Sequence, residues 1–358
     1  MPDSIILQNR LINQQLAEPL FTKPADLVAW FGAMQAQDYA AAKWAVGLRL
    51  PDATDTSIEQ AIADKSIIRT WALRGTLHLI AAEDLRWLLT LVRHRLQLIC
   101  GTHYRKLDLN ETVLAKSKIA MERALAGGQQ LTRPELKTAL DQAGILTHDL
   151  RLNFLLGNAA FDGLICFGNR RGKEFTFTLL DEWSPVTNTL ERDEALTRLI
   201  IRYFTSHGPA TLADFVWWSG LTITEAKEGL ALAKSALLSE VINGQTYWMA
   251  SSTSPLRNLP PTVHLLLSFD EYLVAYKDRA AALGTLEFSQ IVSAGNGIFS
   301  PVIVVDGRVV GTWKRTLKKD AVSIETSLFF QLSDEQLQAV SLVSSQYSAF
   351  LGAHLSNE

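Results

Sequence analysis

The chain has 358 residues, 47% of them hydrophobic, and a formal net charge of −3. Such a length predicts two or three domains sharing cores, and the mild acidity argues against a tight, sequence-blind polyanion binder without excluding DNA, because local clusters matter more than the sum. No run of 18 apolar residues offers a membrane span, and the opening "MPDSIILQNRLINQQ" lacks the basic and apolar parts of a signal peptide, so a soluble cytoplasmic protein is expected.

In chain order, "SIILQNRLINQQLA" reads as a first helix and "ADLVAWFGAMQ" as a second, with an apolar stripe at Leu27, Trp30, Phe31 and Met34. Where that second helix ends stand two glutamines around one alanine, Gln35-Ala36-Gln37. Residues two apart diverge on a helix and share a side on extended chain, so the pair converges only if the chain has left the helix by Ala36. "TSIEQAIADK" is a further helix, and "SIIRTWALRGTLHLI" a hairpin with Arg74-Gly75 at or near its turn. Residues 84–100 form a helix that sets Arg86, Thr90, Arg93 and Gln97 along one face. Five Lys/Arg and no Asp/Glu lie between Arg86 and Lys106. A solvated face is the default reading of that run, and a DNA-facing one is its rival. Cys100 and Cys166 sit in apolar surroundings without C-x-x-C spacing and read as buried, reduced thiols.

Next come "SKIAMERALAGG", stopped by Gly-Gly, and "LTRPELKTALDQAGI", which opens on the capping pair Thr132 and Glu135. A longer helix, "HDLRLNFLLGNAAFDGL", leads into "LICFGNRRGKEFTFTLL", a strand, turn and strand. The same grammar then repeats. "EALTRLIIRYFTSHG" is a helix; "TLADFVWWSG" and "TITEAKEGLALAKSAL" are helices capped by Thr211 with Asp214 and by Thr222 with Glu225. "LLSEVINGQTYWMA" is a hairpin on Asn243-Gly244. Three helices and a β-ribbon make a winged helix, and the two copies suggest a tandem array. The N-terminal elements read as a third, more diverged copy. After Pro260-Pro261 the pattern turns to strands: "TVHLLLSF", a hairpin on Asp306-Gly307 in "SPVIVVDGRVVGTWKR", and "AVSIETSLF", with "SDEQLQAVSLVSSQYSAFLGAHL" as a closing helix. The fold expected is α+β: winged-helix units over 1–115, 116–185 and 186–258, then a β-barrel-like domain over 259–358.

Common catalytic signatures do not occur. The seven histidines show no i+3 or i+4 ligand pair, and there is no HExxH, P-loop, Rossmann glycine fingerprint or G-x-S-x-G elbow. His78, in a strand, reads as a core contact, and "SAGNG" (293–297) as a loop. Asp270, Glu271, Lys277, Asp278 and Arg279 in "SFDEYLVAYKDR" read as an ion-pair network at a domain seam rather than as acid/base catalysts. Taken alone, two glutamines at a helix end are solvated or cap carbonyls.

Taken together, "MQAQDYAAAKWAVGLRL", "RTWALRGTLHLI", "SFDEYLVAYKDR" and "PVIVVDGRVVGTWKR" resemble the AlkZ-like winged-helix DNA glycosylases, also called the YcaQ-type family, over about residues 5–350. The resemblance implies three tandem winged-helix units with a C-terminal β-barrel, and a Gln-aliphatic-Gln catalytic signature matched by Gln35-Ala36-Gln37. The two-glutamine branch includes enzymes that remove bulky N7-alkylated purines and interstrand crosslinks. The implied activity is that of a monofunctional glycosylase acting on duplex DNA with alkylated bases. Gln37 would position a water against C1′ and Gln35 would orient it or contact the lesion nucleotide, with no metal or organic cofactor. Asp38, directly after the motif, is the alternative base.

For DNA contacts, Arg69 and Arg74 stand near the motif's hairpin, where they would hold phosphates, cap a helix or pair with Glu83. Arg93 lies on the basic helix. Arg308, Lys314 and Arg315 mark the Asp306-Gly307 hairpin as a candidate minor-groove probe, against the plainer reading of an ordinary barrel hairpin. Two rivals remain: a non-enzymatic winged-helix DNA-binding regulator, which would dimerise to read a palindrome, and a protein-interaction scaffold. No coiled-coil or evident dimer helix is present, which favours a monomer.

Overall fold

A computed structural model describes residues 2–184, 189–251, 261–292 and 298–356; the "SAGNG" loop at 293–297 lies outside them. The fold is α+β, with three successive helix-and-ribbon units and a C-terminal five-stranded sheet. In the first unit, helices Pro2–Asn13, Pro24–Phe31, Tyr39–Gly47 and Asp55–Ala63 surround a small antiparallel sheet. Its strand order is Met34–Gln35, Leu77–Ala81, Ile67–Trp71. The long helix Leu85–Lys106 follows. The second unit has helices Glu111–Leu125, Arg133–Gln142 and Arg151–Phe161 with strands Leu131–Thr132, Thr176–Leu179 and Ile165–Phe167 side by side. The third has helices Arg192–Ser206, Leu212–Ser219 and Ile223–Ala233 and the ribbon Leu237–Ile242/Gln245–Ala250.

Local chemistry sets these boundaries. The Thr132, Thr211 and Thr222 boxes all form with Glu135, Asp214 and Glu225, satisfying backbone donors at each helix start. A fourth box, Thr54 with Ser57, opens Asp55–Ala63. The second helix stops three residues short of Met34, because Gly32 takes φ +80° and turns the chain into a strand. Met34 therefore belongs to the sheet and not to the helical stripe.

The hairpin Ile67–Trp71/Leu77–Ala81 separates two cores. On one face Ile68 and Ile80 join Trp87, Leu155, Phe204 and Trp218, a core shared by all three units. On the other, Ile67, Leu79 and Met34 join Phe31, Trp44, Leu265, Trp313 and Tyr347, a core shared with the C-terminal sheet. That sheet orders its strands as His354–Ser356, Ala321–Leu328, Arg308–Leu317, Val302–Val305, Val263–Leu266, and the helix Asp334–Leu351 packs on it. Trp44 donates its indole N–H to the Leu265 carbonyl at 2.7 Å, pinning the sheet to the first unit, and Trp313 donates to the Leu266 carbonyl at 2.9 Å within the sheet. A buried bidentate pair, Arg49 with Asp270 at 2.9 and 2.7 Å, crosses the same seam. Cys100 and Cys166 are buried and unpaired. Among the described residues, no helix is long and apolar enough to cross a membrane.

Candidate active site around Gln35 and Gln37

Gln35 sits on the short edge strand opposite His78, and Thr70 faces His78 from the other side. Strand pairing places the three side chains on one sheet face, towards the core shared by the units. Gln35 is only 7% exposed, whereas Gln37 is at the surface. Extended backbone brings both carboxamides to the hairpin turn, which engages each. Arg74 Nη2 donates to Gln35 Oε1 at 2.9 Å, and the Leu77 backbone N–H donates to Gln37 Oε1 at 3.3 Å. Arg74 can occupy this turn because it adopts φ +59° beside Gly75.

Both partners are donors only, so both amide orientations are fixed by chemistry. Each oxygen faces the turn. Each Nε2 is left without a protein hydrogen bond among the described residues.

The backbone of the motif is held from two sides. The Gln35 N–H donates to Glu271 Oε1 at 2.7 Å. Glu271, 1% exposed, also accepts from Trp218 Nε1 at 3.0 Å and lies 3.3 Å from His207 Nε2. Burial alone would raise its carboxyl, but the hydrogen bond from His207, the Gln35 N–H and nearby His78 outweigh it and hold it below the usual carboxylate value. His207 is pushed down by burial and stays neutral despite the pull of Glu271. His78 is driven to about 4, by burial first and by the Arg74 charge second. From the opposite side Arg69 donates Nε and Nη2 to the Ala36 carbonyl at 3.2 and 3.0 Å.

Several residues lie elsewhere than the sequence suggested. Arg69 is 4% exposed and bedded against Tyr39, Phe167 and Phe175, so it is closed to phosphate. Phe167 and Phe175 of this bed come from the second unit's wing, which packs on the first unit. Arg170 of that wing lies over Tyr39 and 3.8 Å from Glu59, and Arg171 pairs with Glu135. Arg74 ties Gln35 to the Trp217 carbonyl at 3.0 Å, near the C-terminus of helix Leu212–Ser219. Asp38 is the N-cap of Tyr39–Gly47, its Oδ1 accepting from the Ala41 N–H at 3.0 Å. Arg93 pairs with Asp162 at 2.7 Å, and along the same face Arg86 bonds Asp181 while Gln97 donates to Asp162.

The Asp306-Gly307 turn is not a free probe. Gly307 is packed on Leu7 and its carbonyl accepts from Tyr272 Oη at 2.7 Å, while Arg308 reaches to 3.9 Å from Asp3. Lys314 lies mid-strand opposite Glu325, and Arg315 bonds the Tyr347 hydroxyl. The exposed turn of this ladder is at its other end, between Leu317 and Ala321. The seam residues are joined differently from the expected ion-pair network. Asp270 alone makes a bidentate Arg pair, Glu271 is held by N–H donors, and Arg279 rests on aromatic rings. Glu271, His207 and Trp218 were not anticipated as partners of the glutamine motif.

The geometry is joined by comparison with known proteins. The family model for DNA glycosylase AlkZ-like proteins matches residues 28–350. An interstrand DNA cross-link repair glycosylase of Streptomyces sahachiroi is 29% identical over 329 residues, covering 85% of each chain. The solved structure of the Streptomyces sahachiroi DNA glycosylase AlkZ superposes with a TM-score of 0.79 at 24% identity, over 99% of each chain, a likeness of fold. The chain therefore belongs to the AlkZ-like family of DNA glycosylases and is an enzyme of that class, with DNA as its substrate.

Proposed function

We propose that this protein is a monofunctional glycosylase that excises N-alkylated bases, N7-alkylpurines and their crosslinked forms, from duplex DNA by attack of water at C1′. It acts as a monomer in the cytoplasm. The relative's name, an interstrand cross-link repair glycosylase, supports crosslinks as substrates. The observation that carries the reading is the pair of carboxamides gathered on one hairpin turn, each oxygen accepting from the turn and each NH2 without a protein partner among the described residues. N7 alkylation makes the purine cationic, so cleavage of the C1′–N9 bond returns the electron pair to a base that leaves neutral. No acid is required for departure, and what remains is to hold a water beside an oxocarbenium-like sugar.

Gln37, exposed and held by one long hydrogen bond, has an oxygen lone pair to spare for that water. Gln35, locked by a guanidinium, directs its NH2 at the water or the lesion nucleotide. The water loses its proton to solvent after the C1′–O bond forms. A lyase step would need an amine. Lys43, the nearest lysine in sequence, is 5% exposed and salt-bridged to Asp55 and Glu59 at 2.7 and 2.8 Å, which supports a purely hydrolytic enzyme.

The test is single-turnover base release from duplexes bearing 7-methylguanine or a nitrogen-mustard crosslink, with Gln35→Ala and Gln37→Ala beside wild type. A loss of about a hundred-fold or more is expected for each. Wild-type rates in both variants would remove the glutamines from the mechanism.

A further inference from the structure

Gln35 and Gln37 account for the reacting bond and leave open what receives the distorted DNA next to it. Arg74 leads outward from the motif. One of its terminal nitrogens holds Gln35, and the other holds the Trp217 carbonyl. The neighbours Trp217 and Trp218 behave in opposite ways. Trp218 is fully buried on Glu271, while Trp217 is 43% exposed. The indole N–H of Trp217 is already satisfied by the Val274 carbonyl at 3.0 Å. Its solvent-facing part is therefore apolar ring, with no polar atom left to hydrate.

Arg279 braces this ring. Its guanidinium carbon lies 5.5 Å from the Trp217 centroid, 5.4 Å from Phe288 and 5.0 Å from Phe299. Nε and Nη1 are fixed by the Leu273 and Lys277 carbonyls at 2.8 and 3.3 Å, and Nη2 is buried without a partner among the described residues. Phe288 is itself 45% exposed. Behind the helix, Arg95 donates to the Gly220 carbonyl at 3.1 Å. The acids of the segment are engaged by backbone. Asp278 accepts from the Ala280 N–H, and buried Asp214 accepts from the Lys277 and Asp278 N–H groups. Arg74 thus links Gln35 to Trp217, and Arg279 links Trp217 to Phe288 and Phe299.

We propose that Trp217, braced by Arg279 and flanked by Phe288, is a stacking platform for a nucleobase displaced from the duplex beside the scissile nucleotide. Partner and place follow from the same observations. Bare rings with fixed guanidinium groups suit an unstacked base on a phosphate chain, and the Arg74 bridge sets Trp217 next to the motif. This inference rests on the glycosylase reading, and its test separates the two. Trp217→Ala removes all aromatic surface and the N–H, whereas Trp217→Phe exchanges the indole for a smaller phenyl face and loses the N–H, so any cost of the lost Val274 bond appears in both variants.

Affinities are measured for an undamaged duplex and for one with a tetrahydrofuran abasic analogue flanked by an unpaired base. Base release from 7-methylguanine duplex is followed in parallel. Trp217→Ala should weaken binding to the tetrahydrofuran duplex about ten-fold, the scale of one base–aromatic stack. Trp217→Phe should stay within about three-fold of wild type, and all three proteins should bind undamaged duplex equally. Wild-type tryptophan emission should drop on binding the lesion duplex by an amount that Trp217→Phe loses. Unchanged affinity in Trp217→Ala, or equal weakening on both duplexes, overturns the platform. A wild type that releases no base overturns the functional reading alone, because the binding comparison still decides on Trp217.

Discussion

Glu271→Gln perturbs the proposed active site from behind, through the Gln35 backbone N–H. In the wild type one carboxylate oxygen serves the Gln35 N–H at 2.7 Å, and the other serves Trp218 Nε1 at 3.0 Å and His207 Nε2 at 3.3 Å. A carboxamide has one oxygen and one NH2. If the NH2 faces Gln35, two donors meet at the motif strand. If it faces the other way it meets Trp218 Nε1, which is donor-only; His207 can change tautomer but Trp218 cannot. Either orientation leaves a buried N–H unpaired, at a cost of about 1–3 kcal/mol. The edge strand carrying Gln35 is two residues long, so it gives way more readily than the helix that holds Trp218. A displacement of about 1 Å at a positioning group costs on the order of a hundred-fold in rate.

The expected result for Glu271→Gln is therefore a single-turnover rate near one-hundredth of wild type on 7-methylguanine duplex. Affinity for duplex should stay within about three-fold, and the melting midpoint should fall by a few degrees. The assay is base release at saturating protein, with circular dichroism melting of the same preparations. A variant that melts early yet cleaves at the wild-type rate would show that Glu271 serves only the fold. A variant whose defect lies in affinity would place the residue on the DNA side.

Asp38→Asn keeps the helix cap and removes the charge, so it should retain activity within a few-fold, whereas Asp38→Ala should lower stability by about 1 kcal/mol; a large rate loss in Asp38→Asn would restore Asp38 as the base. Arg69→Met leaves the buried Ala36 carbonyl without its two donors and should destabilise by about 1–3 kcal/mol, while the salt dependence of duplex binding keeps its slope; a shallower slope would put Arg69 back on phosphate. His78 and His264 are lowered to about 4 and His207 is lowered as well, all by burial first. Each takes up a proton more readily when unfolded, so its contribution is complete above about 6.5 and shrinks as the pH falls, towards about 4 for His78 and His264. Denaturant-derived stability should fall through that window by up to about 1.4 kcal/mol per pH unit for each histidine, and a flat profile would contradict their neutral burial.

Features fixed by near neighbours were legible in the sequence. Thr222 with Glu225 and the Asn243-Gly244 turn need only four residues or fewer to declare themselves, and both formed as read. The winged-helix units followed from the order of such local signals. What the sequence hid was set by partners far along the chain. Arg69 looks like any cation near a motif, and only Phe167 and Phe175, about a hundred residues later, reveal that it is enclosed. Glu271 was recognised as seam chemistry, but its bond to Gln35 spans 236 positions and has no periodicity to betray it. The helix Tyr39–Gly47 was missed because "YAAAKWAVG" is apolar almost throughout and shows little amphipathic contrast. Missing that helix left Asp38 free to be read as a base.

These misreadings share a cause that bears on specificity. Four charges beside Gln35-Ala36-Gln37 are engaged in structural bonds: Asp38 at a helix start, Arg69 with the Ala36 carbonyl, Glu271 with the Gln35 N–H, and Arg74 with the Gln35 oxygen. A charge used this way is held in place by the fold. On the proposed mechanism the groups that face the substrate are neutral amides, which neither donate nor take up a proton at physiological pH. An ordinary purine leaves only with acid assistance, and this site is poorly equipped to give it. A purine already cationic from N7 alkylation needs none. On the proposed mechanism, an arrangement weak in acid–base terms would thus also spare undamaged DNA, through chemistry and without any need for a tight base pocket.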